Sequence, residues 1–188
     1  EQAIAIKVPL VKGLYGYRVS FIHKDNLSQF QQISNVAQLK RKIAGQGHDW
    51  PDLTIMQSNG YEVTSSSKYE GMIDMLEKKR IDYVPRSIAE ALKEVALYSD
   101  KPIMIEPQFL FHYPSYVYFF VKPNKPELAA AITQGLENAI KDGSFDTLFN
   151  DYIDLLKIYN QLSIQTRTVI KLDNPNVAEN KKYQRSPF

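Results

Sequence analysis

Between Tyr17 and Ile105 the chain alternates short apolar runs with amphipathic stretches opened by capping residues, and that alternation limits the available folds more than any other feature. Strand-like runs are read at Tyr17 to Ile22, Lys42 to Ala44, Tyr61 to Thr64, Ile81 to Val84 and Pro102 to Ile105. Helices between them open on Asn35-Val-Ala-Gln38, Ser67-Lys-Tyr-Glu70 and Ser87-Ile-Ala-Glu90, three patterns of the capping-box type, and on Asp49 ahead of Pro51. Strands spaced by helices of this length require crossover connections, hence an α/β fold with a mainly parallel sheet flanked by helices.

The last third reads differently. Tyr116 to Val121 is a continuous aromatic and β-branched run, expected to be a buried strand. Asn124-Lys-Pro-Glu127 should cap a long helix with Leu128, Ile132, Leu136 and Ile140 on one face, stopped by Gly143. A further helix is expected to carry Phe145, Phe149, Tyr152, Ile153 and Leu156. Thr168 to Leu172 reads as a late strand, and the tail from Asp173 to Phe188 as loose or wrapped.

Composition removes several classes of function. The 23 basic and 21 acidic residues leave a formal charge of +2, too small and too dispersed to argue for nucleic acid. Lys78-Lys79-Arg80 is the one basic cluster, and it closes a helix where the dipole favours cations. Absent cysteine excludes disulfides, thiolate metal sites and a cysteine nucleophile. His23, His48 and His112 lack metal-ligand spacing, so neither metal nor cofactor is expected. No apolar run approaches the ~18 residues of a membrane span. The sequence opens on Glu1 rather than methionine and is read as a processed or truncated product.

The candidate site lies at strand ends, where open α/β sheets hold ligands. In Tyr83-Val84-Pro85-Arg86-Ser87 a strand meets proline, a fixed cation and a helix start. Arg86 could pair with a ligand carboxylate through both arms of its fork, or with Asp82 or Glu90 on the surface; the strand-end position favours the ligand. Ser87 borders that position, although a helix cap explains it well. Gly45-Gln46-Gly47-His48-Asp49-Trp50 joins a strand to a helix, and its exposed N–H groups suit an anion such as an α-carboxylate; an ordinary turn capped by Asp49 is the alternative. Within it Gly47 and His48 are candidate contacts, His48 the weaker. Trp50, the single tryptophan, either stacks on a ligand or packs on its neighbouring strand. Tyr17 and Arg18 should border the cleft where the chain crosses between lobes, with Tyr15, Tyr116 and Tyr118 as further candidates on that side.

These segments resemble those of extracytoplasmic solute-binding proteins of the amino-acid ABC-transporter type, which have the type II periplasmic-binding fold. The resemblance is carried by Val36-Ala37-Gln38-Leu39-Lys40, Gly45-Gln46-Gly47, Tyr69 through Leu76, Arg80-Ile81-Asp82-Tyr83, Tyr118-Phe119-Phe120-Val121-Lys122 and Asp142-Gly143-Ser144-Phe145. Lys12-Gly13-Leu14-Tyr15-Gly16-Tyr17-Arg18, Pro85-Arg86 and Asn174-Pro175 narrow it to a subgroup. It implies one complete lobe over residues 21–115, with residues 1–20 and 116–188 a remnant of a first lobe whose N-terminal part is missing. It further implies a non-catalytic receptor, exported by a signal peptide to the periplasm and monomeric when intact. Its partners would be a small polar or anionic solute and the membrane permease of an ABC transporter. In relatives an acidic residue stands near Arg86 and meets the ligand ammonium, so the arginine shifts the expected solute toward negative charge. Two other readings share the scaffold: a dehydratase acting on prephenate-like acids, with Glu90 and Glu106 its only tempting carboxylates, and the ligand-sensing domain of a signalling protein.

Overall fold

The computed structural model describes residues 2–177. Nine strands and eight helices follow in chain order: β1 (Ile4–Ile6), β2 (Tyr17–His23), α1 (Leu27–Gln31), α2 (Val36–Lys40), β3 (Ala44–Gly47), α3 (Pro51–Ser58), β4 (Val63–Ser66), α4 (Tyr69–Glu77), β5 (Tyr83–Ser87), α5 (Ile88–Leu97), β6 (Ile103–Ile105), β7 (Phe109–His112), β8 (Phe119–Val121), α6 (Pro126–Asp142), α7 (Ser144–Tyr152), α8 (Leu155–Gln161) and β9 (Thr168–Lys171). Seven strands make one sheet in the order β4-β3-β5-β2-β7-β9, with β6 also paired to β2. β3 is parallel to β4 and β5, and β7 is parallel to β9. Only β2 runs against the rest, antiparallel to β5, β6 and β7. The expected α/β class and mainly parallel sheet are therefore present.

Period-two alternation buries this sheet on both faces. On β5, Val84 faces one cluster and Tyr83 the other; on β2, Val19 and Phe21 face the first and Ile22 the second. The first cluster takes Met72, Ile73 and Leu76 from α4, Ile88 and Ala91 from α5, and Ile158 and Leu162 from α8 and its end. The second takes Phe30, Leu39, Ile55 and Met56 from α1, α2 and α3. Fully burying side chains of this size is worth about 1.5–3 kcal/mol each. Beyond residues 21–115, the sheet also takes in the start of β2 and all of β9.

Several local expectations needed correction. The strands at Lys42, Tyr61 and Ile81 begin two residues later, at Ala44, Val63 and Tyr83. Pro85 and Arg86 consequently lie inside β5, opposite Ser20 and Val19. β3 pairs with β5 only at Ala44–Tyr83, so the missing Pro85 N–H takes no bond from that ladder. Asp49 caps nothing: Trp50 is the N-cap residue of α3 and Pro51 fills its first turn. The Ser67 box does not form either, because Ser66 Oγ accepts from Lys68 N (3.3 Å) and α4 starts one residue later than that box requires. Asn35 accepts from Gln38 N and Ser87 from Ala89 N, as capping requires. The last long helix breaks at Ile153, and Asp154 caps α8 through Lys157 N.

A second, two-stranded sheet pairs β1 with β8 in antiparallel register. α6 covers it through Ile6, Val8 and Ala129, with Ile132, Leu136 and Ile140 alongside. Gly143 ends α6 in the left-handed region, φ 85°. The expected buried strand from Tyr116 shrinks to Phe119–Val121, and Phe119 and Phe120 are 49% and 63% exposed. Phe119 and Phe120 are consecutive and face opposite ways, so the ribbon leaves side chains on both of its faces open.

Candidate functional site

Three chain segments meet beside the carboxyl end of β3. β3 ends at Gly47, and a turn held by His48 N on Ser66 O and Trp50 N on Gly47 O leads into α3. Gly47 is required there: a Cβ would lie 2.5 Å from the Trp50 ring, so the indole packs flat on bare backbone. β2 supplies Arg18 at its start, and the residues after β7 supply Tyr113 to Val117. The C-terminal segment closes a fourth side. Asn59 and Asp173 exchange hydrogen bonds (2.8 and 3.0 Å), and Asn174 Nδ2 donates to Pro114 O at 2.7 Å. Together they enclose a concavity of about 510 Å³ whose lining includes Tyr15, Arg18, His48, Trp50, Asp52 and Tyr116. That is the size of a small-molecule site.

A buried ion pair forms its floor. Arg18 (8% exposed) places Nη2 3.0 and 3.2 Å from the two oxygens of Asp52 (7% exposed). Arg18 Nε donates to the Tyr113 hydroxyl at 2.8 Å, and that hydroxyl donates to Asp52 Oδ1. Burial pushes the Tyr113 phenol well above its ordinary pKa, which keeps it a donor. Among the described residues nothing bonds Arg18 Nη1, so one arm of the fork remains for a ligand acceptor. Asp49 and Asp52 set two carboxylates against this one arginine along the lining. Such a wall suits a solute carrying both an anionic and a cationic group.

The sequence candidates divide. Arg18, His48 and Trp50 line the concavity, with Gly47 directly behind Trp50. Tyr15 and Tyr116 join them. Tyr17 instead rests against His112, ring centres 4.2 Å apart, and Ser87 is fully buried as the cap of α5. Neither Tyr17 nor Ser87 is among the lining residues.

Arg86 is also off the lining, packed over Trp50, and of the two carboxylates expected beside it Glu90 is a partner and Asp82 is not, while the tighter partner is Glu94. Nε and Nη2 grip Glu94 at 2.6 and 2.5 Å, and Glu90 is a weaker partner at 3.4 Å. The guanidinium carbon lies 4.5 Å from the Trp50 ring and 5.0 Å from that of Tyr69, whose hydroxyl donates to Glu94 at 2.9 Å. Two carboxylates of α5 thus answer its charge within the protein, away from the concavity. The residues missed were Asp52, Tyr113 and Glu94. An aspartate behind Pro51 reads as an ordinary first-turn acid, and no local pattern shows that a strand-end tyrosine 61 residues away will bond it.

Glu90 and Glu106 are both absent from the lining. Glu106 accepts from Gln108 N and Phe109 N (2.7 and 2.8 Å) near Arg167, an arrangement that ties the start of β7. Among the described residues no cluster of three or more histidine or acidic side chains could hold a metal.

No protein-family model and no curated protein matches the sequence. Solved structures do. An ancestral arginine-binding protein bound to glutamine superposes with a TM-score of 0.58 at 20% identity, over 80% of this chain and 64% of that one. A periplasmic His/Glu/Gln/Arg/opine family-binding protein from Silicibacter pomeroyi, in complex with lysine, gives 0.58 at 10% identity over 80% and 62%. An ancestral amino-acid-binding protein described as a precursor of cyclohexadienyl dehydratase gives 0.53 at 13% identity over 81% and 62%. This chain has the type II periplasmic-binding fold. It spans less than two thirds of the length of these neighbours, in keeping with one lobe and part of a second. Among the described residues no helix is long and apolar enough to cross a membrane.

Proposed function

We propose that this chain is the solute-holding part of an extracytoplasmic receptor that captures a small amino-acid-like solute in the periplasm, without catalysis, for the permease of an ABC transporter. The observation that carries the proposal is the Arg18–Asp52–Tyr113 group at the floor of a concavity walled by Trp50. Arg18 Nη1 would take the solute carboxylate and Asp49 its ammonium, while Trp50 and Tyr116 would cover its carbon chain. The neighbours with glutamine and lysine bound support a zwitterion. The division at residues 21–115 would then separate the lobe carrying His48 to Asp52 from the hinge side carrying Arg18 and Tyr116. Calorimetric titration with lysine, glutamine, glutamate, and the amine and acid fragments of each is the test. Heat from the zwitterions and none from the fragments supports the reading; silence across the panel at millimolar solute ends it.

The dehydratase-precursor neighbour motivates a second reading, an enzyme on the same scaffold. It would need an acid or base in the concavity. Neither expected carboxylate lies there, so turnover of a prephenate-like acid would have to come from another group on the lining, His48, Asp49, Asp52 or a tyrosine.

A further inference from the structure

We infer that Arg86 and Glu94 act as the backing that holds the Trp50 indole as a wall of the concavity, so that solute affinity depends on two residues that do not touch the solute. The inference rests on the site proposed above but is read out separately from it. Trp50 is clamped from two directions. Gly47 lies against it with room for nothing larger than hydrogen, since a Cβ would meet ring atoms at 2.5 to 2.7 Å. The Arg86 guanidinium stands 4.5 Å from the ring centre, and Tyr69 packs beside it with centroids 6.1 Å apart.

Arg86 is itself held rather than free to move. β5 fixes its backbone opposite Val19, and Glu94, two turns along α5, takes Nε and Nη2 along one edge of the guanidinium. Tyr69, from the first turn of α4, bonds the same carboxylate. Three elements thus converge on one planar cation that presents its face to the indole, a geometry in which the ring's quadrupole and the charge attract in a partly desolvated setting. The cost of burying the arginine is met by its bond and charge to Glu94, which together hold its pKa above the usual arginine value. Trp50 also lines the concavity. Arg86 is therefore a positioning residue.

Trp50 is the only tryptophan, so intrinsic fluorescence of the whole chain reports on this ring alone. The variant Arg86→Met with Glu94→Gln removes the cation without stranding a buried carboxylate. Emission without solute should shift to longer wavelength and acrylamide quenching should rise, with far-UV circular dichroism unchanged. For lysine, the dissociation constant should weaken about tenfold, the scale of one lost cation–π contact in a desolvated site. Arg86→Lys keeps a cation near the ring and should restore most of the emission; Tyr69→Phe should give a smaller shift in the same direction and serves if the double variant fails to fold. Unchanged emission and quenching in these variants overturns the inference, and so does lost affinity with unchanged emission, which would put Arg86 on the solute itself. Because the emission arm needs no solute, failure of lysine to bind the wild type would count against the proposed function and leave this test standing.

Discussion

Phe21, in the middle of β2, is fully buried, whereas Phe120, in the middle of β8, is 63% exposed. Both are aromatic residues in apolar strands, and their sequence surroundings look equally core-like. β2 lies third from the β9 edge of a seven-stranded sheet with helices on both faces, so either direction its side chains take is covered. β8 has one partner strand and one helix, and of its three side chains two are exposed and the third half-buried. Apolarity along a strand says that it wants burial, and the number of layers around it decides whether it gets it. The region with layers on both faces also holds the site, because Arg18 and Asp52 need rigid elements behind them to stay paired while desolvated.

The comparison can be broken most directly by truncation. Phe21→Ala should destabilise the chain by about 3–5 kcal/mol, the range for an aromatic lost from a packed core. Phe120→Ala should change it by less than about 0.5 kcal/mol, as at an ordinary surface position. Urea melts of the two variants measure both, and comparable losses would show that β8 is covered in solution. Next in size is the buried pair. Arg18→Met alone should cost about 3 kcal/mol, because Asp52 keeps a buried charge without a partner, and adding Asp52→Leu should recover much of it.

A pH series sharpens the picture at the start of β7. Burial raises the Glu106 carboxyl above its ordinary value, the two backbone donors and Arg167 opposing. A raised acid binds its proton more tightly folded than unfolded, so its contribution is present below about 4.3 and is lost as pH rises through the folded value. Glu106→Gln cannot titrate, so the stability of the wild type relative to this variant should fall upward from that pH and then level, as urea midpoints would record. A flat difference would mean that the hydrogen bonds and Arg167 cancel burial, and a rising one that they outweigh it. The smallest effect is expected at Tyr83, a fully buried residue whose hydroxyl has no partner among the described residues. Tyr83→Phe removes a desolvated polar atom and keeps the stack on Phe111, so stability should hold or rise by up to about 1 kcal/mol.

Much of the large sheet was legible because its signals are local: apolar runs of strand length, and Asn35 and Ser87 as caps; Gly143 likewise marks the end of α6 beside the small sheet. Its shifted starts share a cause. The Lys42-Ile43 and Arg80-Ile81-Asp82 flanks contain apolar residues that pack ahead of the strand, so the hydrophobic run begins before the ladder does. β7 was missed because Phe109-Leu-Phe-His112 follows Pro107 without any alternation in polarity, being covered on both faces. For the site, sequence located the Gly47–Trp50 turn and Arg18. Of the two surface acids expected beside Arg86, Glu90 does pair with it, but Glu94 was not foreseen, since which acid answers an arginine depends on helix phase: Glu94 at two turns fits better than Glu90 at one. Asp173 to Val177 begin the tail read as loose or wrapped, and the described part is wrapped, since Asn59 straps it to the concavity; the remainder of that tail lies outside the described residues.

The central claim is that a zwitterionic solute seats between Trp50 and Arg18. With one tryptophan the chain gives one indole N–H resonance in a ¹⁵N–¹H spectrum, which makes titration with lysine a direct measurement. The account predicts that this resonance moves along a saturating curve in the wild type, and that the paired variant Arg18→Met with Asp52→Leu abolishes the movement while keeping a dispersed spectrum. A resonance that stays put while lysine binds, or one that moves equally in both proteins, would contradict it.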